Sequence, residues 1–125
     1  MAMADERQNP RRARPAGPRT IAILIFADVE AFDVIGPAKV FATATDLLSQ
    51  RLGSSTPYSI VLCAPSKDRV MTSNGLELFA CTSLDDLTQR VDTLIIAGGS
   101  GRDSRNATVM LAEQLARHFA RIHGP

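Results

Sequence analysis

The chain has 125 residues, of which 45% are hydrophobic, and a formal net charge of +1. This length supports at most one ordinary domain, and no apolar run approaches the roughly 18 residues that a membrane helix needs. The N-terminus has no apolar signal segment, so we expect a cytoplasmic protein with no membrane partner.

Residues 1–19 form a basic segment. They carry five arginines against Asp5 and Glu6, whereas the remaining residues carry 9 basic and 11 acidic side chains. Prolines and glycine interrupt the arginines, so we expect a disordered leader over 1–19 and a folded domain over 20–125. Because the folded part lacks clustered Lys and Arg, we expect no specific DNA binding by this chain alone.

A fully apolar run at 21–26 leads directly into a short acidic segment. Such a run is typical of a strand that is buried on both faces of a parallel sheet. Asp28, Glu30 and Asp33 follow the run. Ligands in open α/β sheets bind beyond the carboxyl ends of the strands, so these acids occupy the edge where chemistry is expected.

The rest of the chain alternates between strand-like and helix-like patterns. The order predicts an α/β fold, a flavodoxin-like (Rossmann-like) doubly wound parallel sheet with a small side hairpin. In that fold the strands are ordered second, first, third. The predicted elements are a helix from Gly36–Pro37 to Leu52, a strand over 58–64, a hairpin turning at Ser73–Asn74–Gly75, a short helix from Ser83 through Leu87, a strand over 93–97 and a final helix with Leu111, Leu115, Phe119 and Ile122 on one face.

Gly98 and Gly99 end the third strand and precede the last helix. Their N–H groups could face an oxyanion or a carbonyl, and a simple tight turn is an equally good interpretation. Ser104 stands at the third position of a dinucleotide-binding glycine pattern, and Arg102 breaks the nucleophile-elbow pattern, so both are excluded. A receiver domain is excluded as well. Its phosphorylated aspartate would stand at the end of the third strand, where this sequence has Ala97, Gly98 and Gly99.

The positions of the histidines and cysteines do not indicate a functional site. His118 and His123 are five residues apart, which does not place them on one helix face, so we expect solvent-exposed side chains. Cys63 ends an apolar strand and is expected in the core, and both it and Cys81 are expected to be reduced. We therefore expect no metal and no cofactor.

Two stretches resemble the PfpI/ThiJ superfamily, also called class I glutamine amidotransferase-like. The first is Asp33-x-x-Gly36-Pro37, followed by Val40 and Phe41 on the helix. The second runs from Val91 to Gly101 and contains the pair Gly98–Gly99 followed by Ser100. The resemblance covers about residues 20–123. It is strongest to isocyanide hydratase and to the N-terminal domain of GlxA-type regulators of the AraC family.

The resemblance implies roles for four residues. Asp33 would work beside a reactive cysteine as a general acid or base, and the same carboxylate is also explained as a helix-capping charge. Gly98, Gly99 and Ser100 would line a ligand pocket. In the family the reactive cysteine follows one further strand, and this sequence stops at Pro125 before it, so we expect a truncated, incomplete sheet. From the unpaired edge of the third strand we expect one of three outcomes: a homo-oligomer through that edge, poor solubility, or stability only with a partner.

From this resemblance we expect a non-catalytic module that senses an unknown small molecule and dimerises. It would be part of an AraC-family regulator without its helix-turn-helix domain. Two alternatives stay open. One is an isocyanide hydratase-like or other PfpI-type enzyme, inactive without its cysteine, and the other is a shortened gene product with no stable function.

Overall fold

The computed structural model describes residues 17–53, 57–99 and 113–121. Of the predicted leader over 1–19, residues 1–16 lie outside these ranges, as do Ser100, Leu111, Ile122 and His123. Arg19 is instead the first residue of a strand, so the leader was predicted too long at its end. Residues 113–121 are helical. The other elements are β1 (Arg19–Leu24), α1 (Ala31–Leu52), β2 (Tyr58–Ala64), β3 (Arg69–Met71), β4 (Glu77–Phe79), β5 (Thr82–Ser83) and β6 (Thr93–Ile96).

Strand β1 lies between β2 and β6 in a parallel sheet whose order is β5-β2-β1-β6. Ile21 of β1 pairs with Ile60 of β2 on one side and with Thr93 of β6 on the other. This confirms the predicted α/β fold and the order second, first, third. The two-residue strand β5 was not predicted, because a pair of polar residues carries no periodic signal.

The core is built around β1. Its residues from Ile21 to Leu24 are at most 2% exposed, and the following Ile25 is also buried. Burying a side chain of this size contributes roughly 1.5–3 kcal/mol, so this strand supplies a large share of the driving force for folding. The strand itself is shifted from the predicted 21–26, although Ile25 still donates its N–H to Cys63 O at 2.8 Å.

Asp92 ties the start of β6 to the start of β1. Its Oδ2 accepts the Thr20 N–H at 2.8 Å, and its own N–H donates to Thr20 O at 2.9 Å. These reciprocal bonds set the register of β6 before its first ladder pair. The side chain therefore explains why an acid stands at the entry to an apolar strand.

Helix α1 begins at Ala31, five residues before the predicted start at Gly36–Pro37. The prediction was wrong because proline is usually the first residue of a helix, whereas Pro37 lies inside this one. The residue before a proline is disfavoured in helical geometry partly by its Cβ, which Gly36 lacks. Asp33 therefore belongs to the first helical turn rather than to the preceding loop.

The end of α1 matches the sequence pattern. The helix ends before Gly53, whose φ is 89°. Phe41 packs edge-on against Tyr58 of β2, with ring centroids 5.1 Å apart. Among the described ranges, no helix combines the length and apolar character needed to cross a membrane.

The hairpin was predicted correctly. Strands β3 and β4 pair antiparallel, and Gly75 in their turn has a φ of 86°. Thr72, which is 2% exposed, accepts the Leu76 N–H at its hydroxyl at 3.0 Å. The predicted helix from Ser83 through Leu87 is instead a single turn.

That single turn keeps the predicted cap. Ser83 Oγ accepts the Asp86 N–H at 3.1 Å, and Ser83 O accepts the Leu87 N–H at 3.1 Å. Leu84 and Leu87 are both buried. The capping signal was read correctly, but the segment holds too few residues to propagate a helix.

His118 corrects the expectation of a solvent-exposed histidine, because it is only 4% exposed. It lies one turn after the buried Leu115 on the same helix. The Arg121 guanidinium lies 3.2 Å from His118 Nδ1. Since a guanidinium only donates, Nδ1 is the acceptor and the ring proton is on Nε2. Arg121 also donates to Asp85 O at 3.1 Å, which ties this helix to the turn at 84–87.

The burial of Cys63 makes stability depend on pH in the alkaline range. Burial raises the pKa of the Cys63 thiol from 9.0 to about 11. Since the folded state holds this proton more tightly, its contribution is complete below pH 9 and is lost as pH rises to about 11. We expect a decrease of about 2 kcal/mol in unfolding free energy over that interval.

Urea unfolding at several pH values tests this expectation. Cys63→Ala is the matched variant, because every other titratable group is present in both proteins. The wild-type curve should fall more steeply than the curve of the variant above pH 9. Parallel curves would show that the thiol is ionised as easily in the folded chain as in the unfolded one.

Candidate functional site

The segment between β1 and α1 forms a tight turn. The Val29 N–H donates to Phe26 O at 3.1 Å, and Asp28 has a φ of 66°. Positive φ at the third residue of a four-residue turn is typical of type II, where glycine or asparagine is usual. Asp28 is therefore held in a conformation that a non-glycine residue rarely adopts, and strain of this kind is concentrated at functional sites. Sequence reasoning missed this turn, since it has none of the usual turn dipeptides.

The hairpin holds one side of the turn. Asp28 donates its N–H to Met71 O at 2.9 Å, and the Ser73 N–H donates to Val29 O at 2.9 Å. Val29 is completely buried between these contacts. The hairpin thus supports the junction at the carboxyl end of β1 rather than lying apart from it.

The segment after β6 holds the other side. The Glu30 N–H donates to Gly98 O at 2.7 Å. In return, the Gly98 N–H donates to Asp33 Oδ2 at 3.0 Å. The first turn of α1 and the end of β6 are therefore joined by two bonds in opposite directions. The structure brings together Asp33 and Gly98, the two residues that the sequence singled out 65 positions apart.

Close approach explains both glycines. A Cβ on Gly98 would lie 2.6 Å from Asp33 Oδ2, and a Cβ on Gly99 would lie 2.8 Å from the ring of Phe26. Neither glycine has a positive φ. The requirement at these positions is therefore space for Asp33 and Phe26 rather than unusual backbone angles.

The Asp33 carboxylate makes this site an acceptor of hydrogen bonds. Asp33 is exposed, lies in the first turn of α1 where the helix dipole favours a negative charge, and uses Oδ2 for Gly98. Within the ranges that the structure describes, its Oδ1 has no hydrogen-bond donor, so this atom can accept from a donor on a ligand. Because the Gly98 N–H already bonds to a carboxylate, it is engaged within the chain. A ligand-binding role for Gly98, Gly99 and Ser100 stays a prediction.

The described thiols differ sharply in exposure. Cys63 is buried and Cys81 is exposed, and neither is in a disulfide. The raised pKa of Cys63 keeps it protonated near neutrality, which is the opposite of what a nucleophile needs. In the ranges 17–53, 57–99 and 113–121, no three His, Cys, Asp or Glu side chains are grouped to hold a metal ion.

The fold and this junction define an α/β domain with a carboxylate fixed at the carboxyl edge of a parallel sheet. Residues 19–125 match the DJ-1/PfpI family model. The chain therefore belongs to the DJ-1/PfpI family, which confirms the resemblance stated above. None of the curated proteins matches it.

Several solved structures share the fold. A DJ-1 superfamily protein from Agrobacterium tumefaciens is 28% identical with a TM-score of 0.54, over 82% of this chain and 49% of that one. DJ-1beta from Drosophila melanogaster is 17% identical with a TM-score of 0.59, over 83% and 50%. An AraC family transcriptional regulator from Pseudomonas putida is 18% identical with a TM-score of 0.51, over 80% and 60%. The chain thus spans about half the length of the first of these structures.

Gly98→Ala should disturb Asp33 specifically. The new Cβ would force the carboxylate away from its 2.6 Å position and break the bond to the Gly98 N–H. We expect a loss of about 1 kcal/mol in unfolding free energy, the usual size for a single intramolecular hydrogen bond, because this bond is exposed to solvent.

A double-mutant cycle with Asp33→Ala isolates this effect, with urea unfolding as the measurement. Once the carboxylate is absent, Gly98→Ala should cost much less than it costs in the wild-type protein. An equal cost in both backgrounds would mean that something other than Asp33 demands glycine at this position.

Proposed function

We propose that this chain is the ligand-sensing and dimerisation part of an AraC-family transcriptional regulator of the GlxA type. In this proposal it binds a small molecule at the β1–α1 junction and catalyses no reaction. In this proposal, operator recognition belongs to a separate helix-turn-helix domain.

The observation that carries the proposal is the Asp33 to Gly98 hydrogen bond. It couples an exposed carboxylate on α1 to the end of β6, so a ligand that bonds to Asp33 acts on both elements. A carboxylate that accepts selects ligands with N–H or O–H donors. Binding is thereby linked to the position of α1, which a sensor requires.

Two further observations support the proposal. Of the two described thiols, Cys63 is buried with a pKa raised to about 11, which makes it a poor nucleophile at neutral pH. Residues 20–125 carry 9 basic and 11 acidic side chains, a balance consistent with leaving operator recognition to another domain. The shared fold of the Pseudomonas putida regulator is consistent with this role and shows fold similarity alone.

A second candidate is an isocyanide hydratase-like enzyme, which adds water to an isocyanide to give an N-substituted formamide. The exposure of Asp33 at the carboxyl edge of β1 favours it, since a general acid or base must reach its substrate. The two candidates share the same carboxylate and differ in whether product forms.

One experiment separates them. The purified chain is incubated with an alkyl isocyanide, and formamide is measured by chromatography. In parallel, the backbone amide spectrum is recorded during titration with N-methylacetamide, a small neutral molecule with one N–H donor. We expect no product above the protein-free control. We also expect saturable shifts at Asp33 and Gly98, with a dissociation constant in about the millimolar range for so small a molecule.

Asp33→Ala should abolish these shifts, and Asp46→Ala is the matched control because it removes an exposed carboxylate from the same helix. Formamide production that depends on Asp33 would contradict the sensor proposal and support the enzyme candidate. Shifts that persist without Asp33 would mean that this junction is not the binding site.

A further inference from the structure

The turn of the hairpin contains two neighbouring residues that can react with each other. Asn74 is followed by Gly75, both are exposed, and Gly75 has a φ of 86°. An asparagine followed by glycine is especially prone to deamidation, because a residue without a side chain lets its backbone nitrogen approach the asparagine Cγ. The same hairpin supports the β1–α1 junction through its backbone hydrogen bonds.

The backbone nitrogen of Gly75 is accessible and only weakly engaged. Its N–H donates to Thr72 O at 3.2 Å, which is at the long end of the range for such bonds. Among the described residues, no atom beyond its chain neighbours would lie within 4 Å of a Cβ on Gly75. The turn therefore has room for the ring that deamidation requires.

The hydroxyl of Thr72 points at the carbonyl that would react. Thr72 is 2% exposed, and its Oγ1 accepts the Leu76 N–H at 3.0 Å. Its own proton is donated to Asn74 Oδ1, with 2.6 Å between the two oxygens. A donor fixed in this way stabilises the negative charge that forms on Oδ1 when a nitrogen adds to Cγ. This hydroxyl therefore assists the reaction at Asn74.

We propose that Asn74 is a site of spontaneous deamidation, with water as the co-reactant. The Gly75 nitrogen loses its proton and adds to Asn74 Cγ, and the new C–N bond closes a succinimide ring. The Cγ–Nδ2 bond breaks, and the side-chain nitrogen leaves as ammonia with the proton that Gly75 gave up. Water then adds to one of the two ring carbonyls and breaks its bond to the ring nitrogen, which leaves aspartate or isoaspartate.

Isoaspartate lengthens the turn, because the main chain then runs through the former Asn74 side chain and gains a methylene group. The present turn is closed by the Thr72 N–H, which donates to Leu76 O at 2.7 Å. The neighbouring Ser73 N–H donates to Val29 O of the junction at 2.9 Å. A longer turn cannot keep both contacts, so this modification weakens the support that the hairpin gives the junction. The proposal needs no ligand and is independent of the proposed function.

Peptide mapping by mass spectrometry tests the site. The chain has three asparagines, and each falls in a different tryptic peptide. Asn9 precedes Pro10, whose nitrogen carries no proton and cannot close the ring, and Asn106 precedes Ala107. The folded protein is aged at mildly alkaline pH, where an amide nitrogen loses its proton more readily. We expect Asn74 to be converted at least about tenfold faster than Asn106, and Asn9 to stay unchanged.

Thr72→Val tests the contribution of the hydroxyl, and Thr72→Ser is the matched control because it keeps the donor. Circular dichroism of both variants checks that the chain still folds. We expect conversion of Asn74 to be several times slower in Thr72→Val than in Thr72→Ser. Equal or faster conversion in the valine variant would overturn the assistance by this hydroxyl.

Hydrogen exchange of the Ser73 amide, measured by NMR, tests the effect on the junction. In the aged wild-type protein we expect this exchange to become at least about tenfold faster. Asn74→Gln, aged for the same time, should keep its protection, since its side chain would have to close a less favourable six-membered ring. Asn74→Asp carries the new charge without the additional methylene group and should also keep its protection.

Each part of the proposal has its own contradicting result. Conversion of Asn74 that is no faster than conversion of Asn106 would overturn the modification site. Rapid conversion that leaves the Ser73 amide fully protected would overturn the effect on the junction. Loss of protection in Asn74→Asp would show that the charge alone is sufficient, and would overturn the requirement for a longer main chain.

Discussion

The central constraint on this structure is that β1 is paired on both edges and buried on both faces. Such a strand is stable only within a covered parallel sheet, because an exposed run of Ile, Leu and Ala would gain nothing from folding. Parallel pairing makes the carboxyl ends of β1 and β6 neighbours. The acidic segment after β1 is thereby placed against the glycine pair after β6, and the site follows directly from the pairing.

The Asp33 to Gly98 bond converts that proximity into a defined geometry. It requires Asp33 to lie in the first turn of α1, which depends on a helix that begins before Gly36–Pro37. It also requires that Gly98 carry no side chain. Both glycines therefore help to place the Asp33 carboxylate. Gly36 allows a proline inside the helix, and Gly98 leaves space for the carboxylate. The strained Asp28 and the hairpin contacts fix the backbone between β1 and that carboxylate.

The hairpin and the end of α1 could be predicted because each depends on local pattern or on a single turn residue. The sheet order was predicted from the fold class that the alternation of strands and helices indicated. The start of α1 was not predicted, since its first turn is stabilised by tertiary contacts that outweigh the usual position of proline. His118 was misassigned for a similar reason: its burial depends on how the helix at 113–121 packs, which no spacing of two histidines reveals. Asp33 and Gly98 were found, but their direct hydrogen bond is a long-range contact without a local signal.

A ligand that bonds to Asp33 acts on α1, because this carboxylate lies in the first turn of the helix. The central claim is that the Asp33 carboxylate accepts a hydrogen bond from the Gly98 amide. The most direct measurement is hydrogen exchange of that amide by NMR, in the wild-type protein and in Asp33→Ala. We predict an amide that is protected in the wild-type protein and loses this protection in Asp33→Ala. An amide that exchanges freely, or that is indifferent to Asp33, would contradict it.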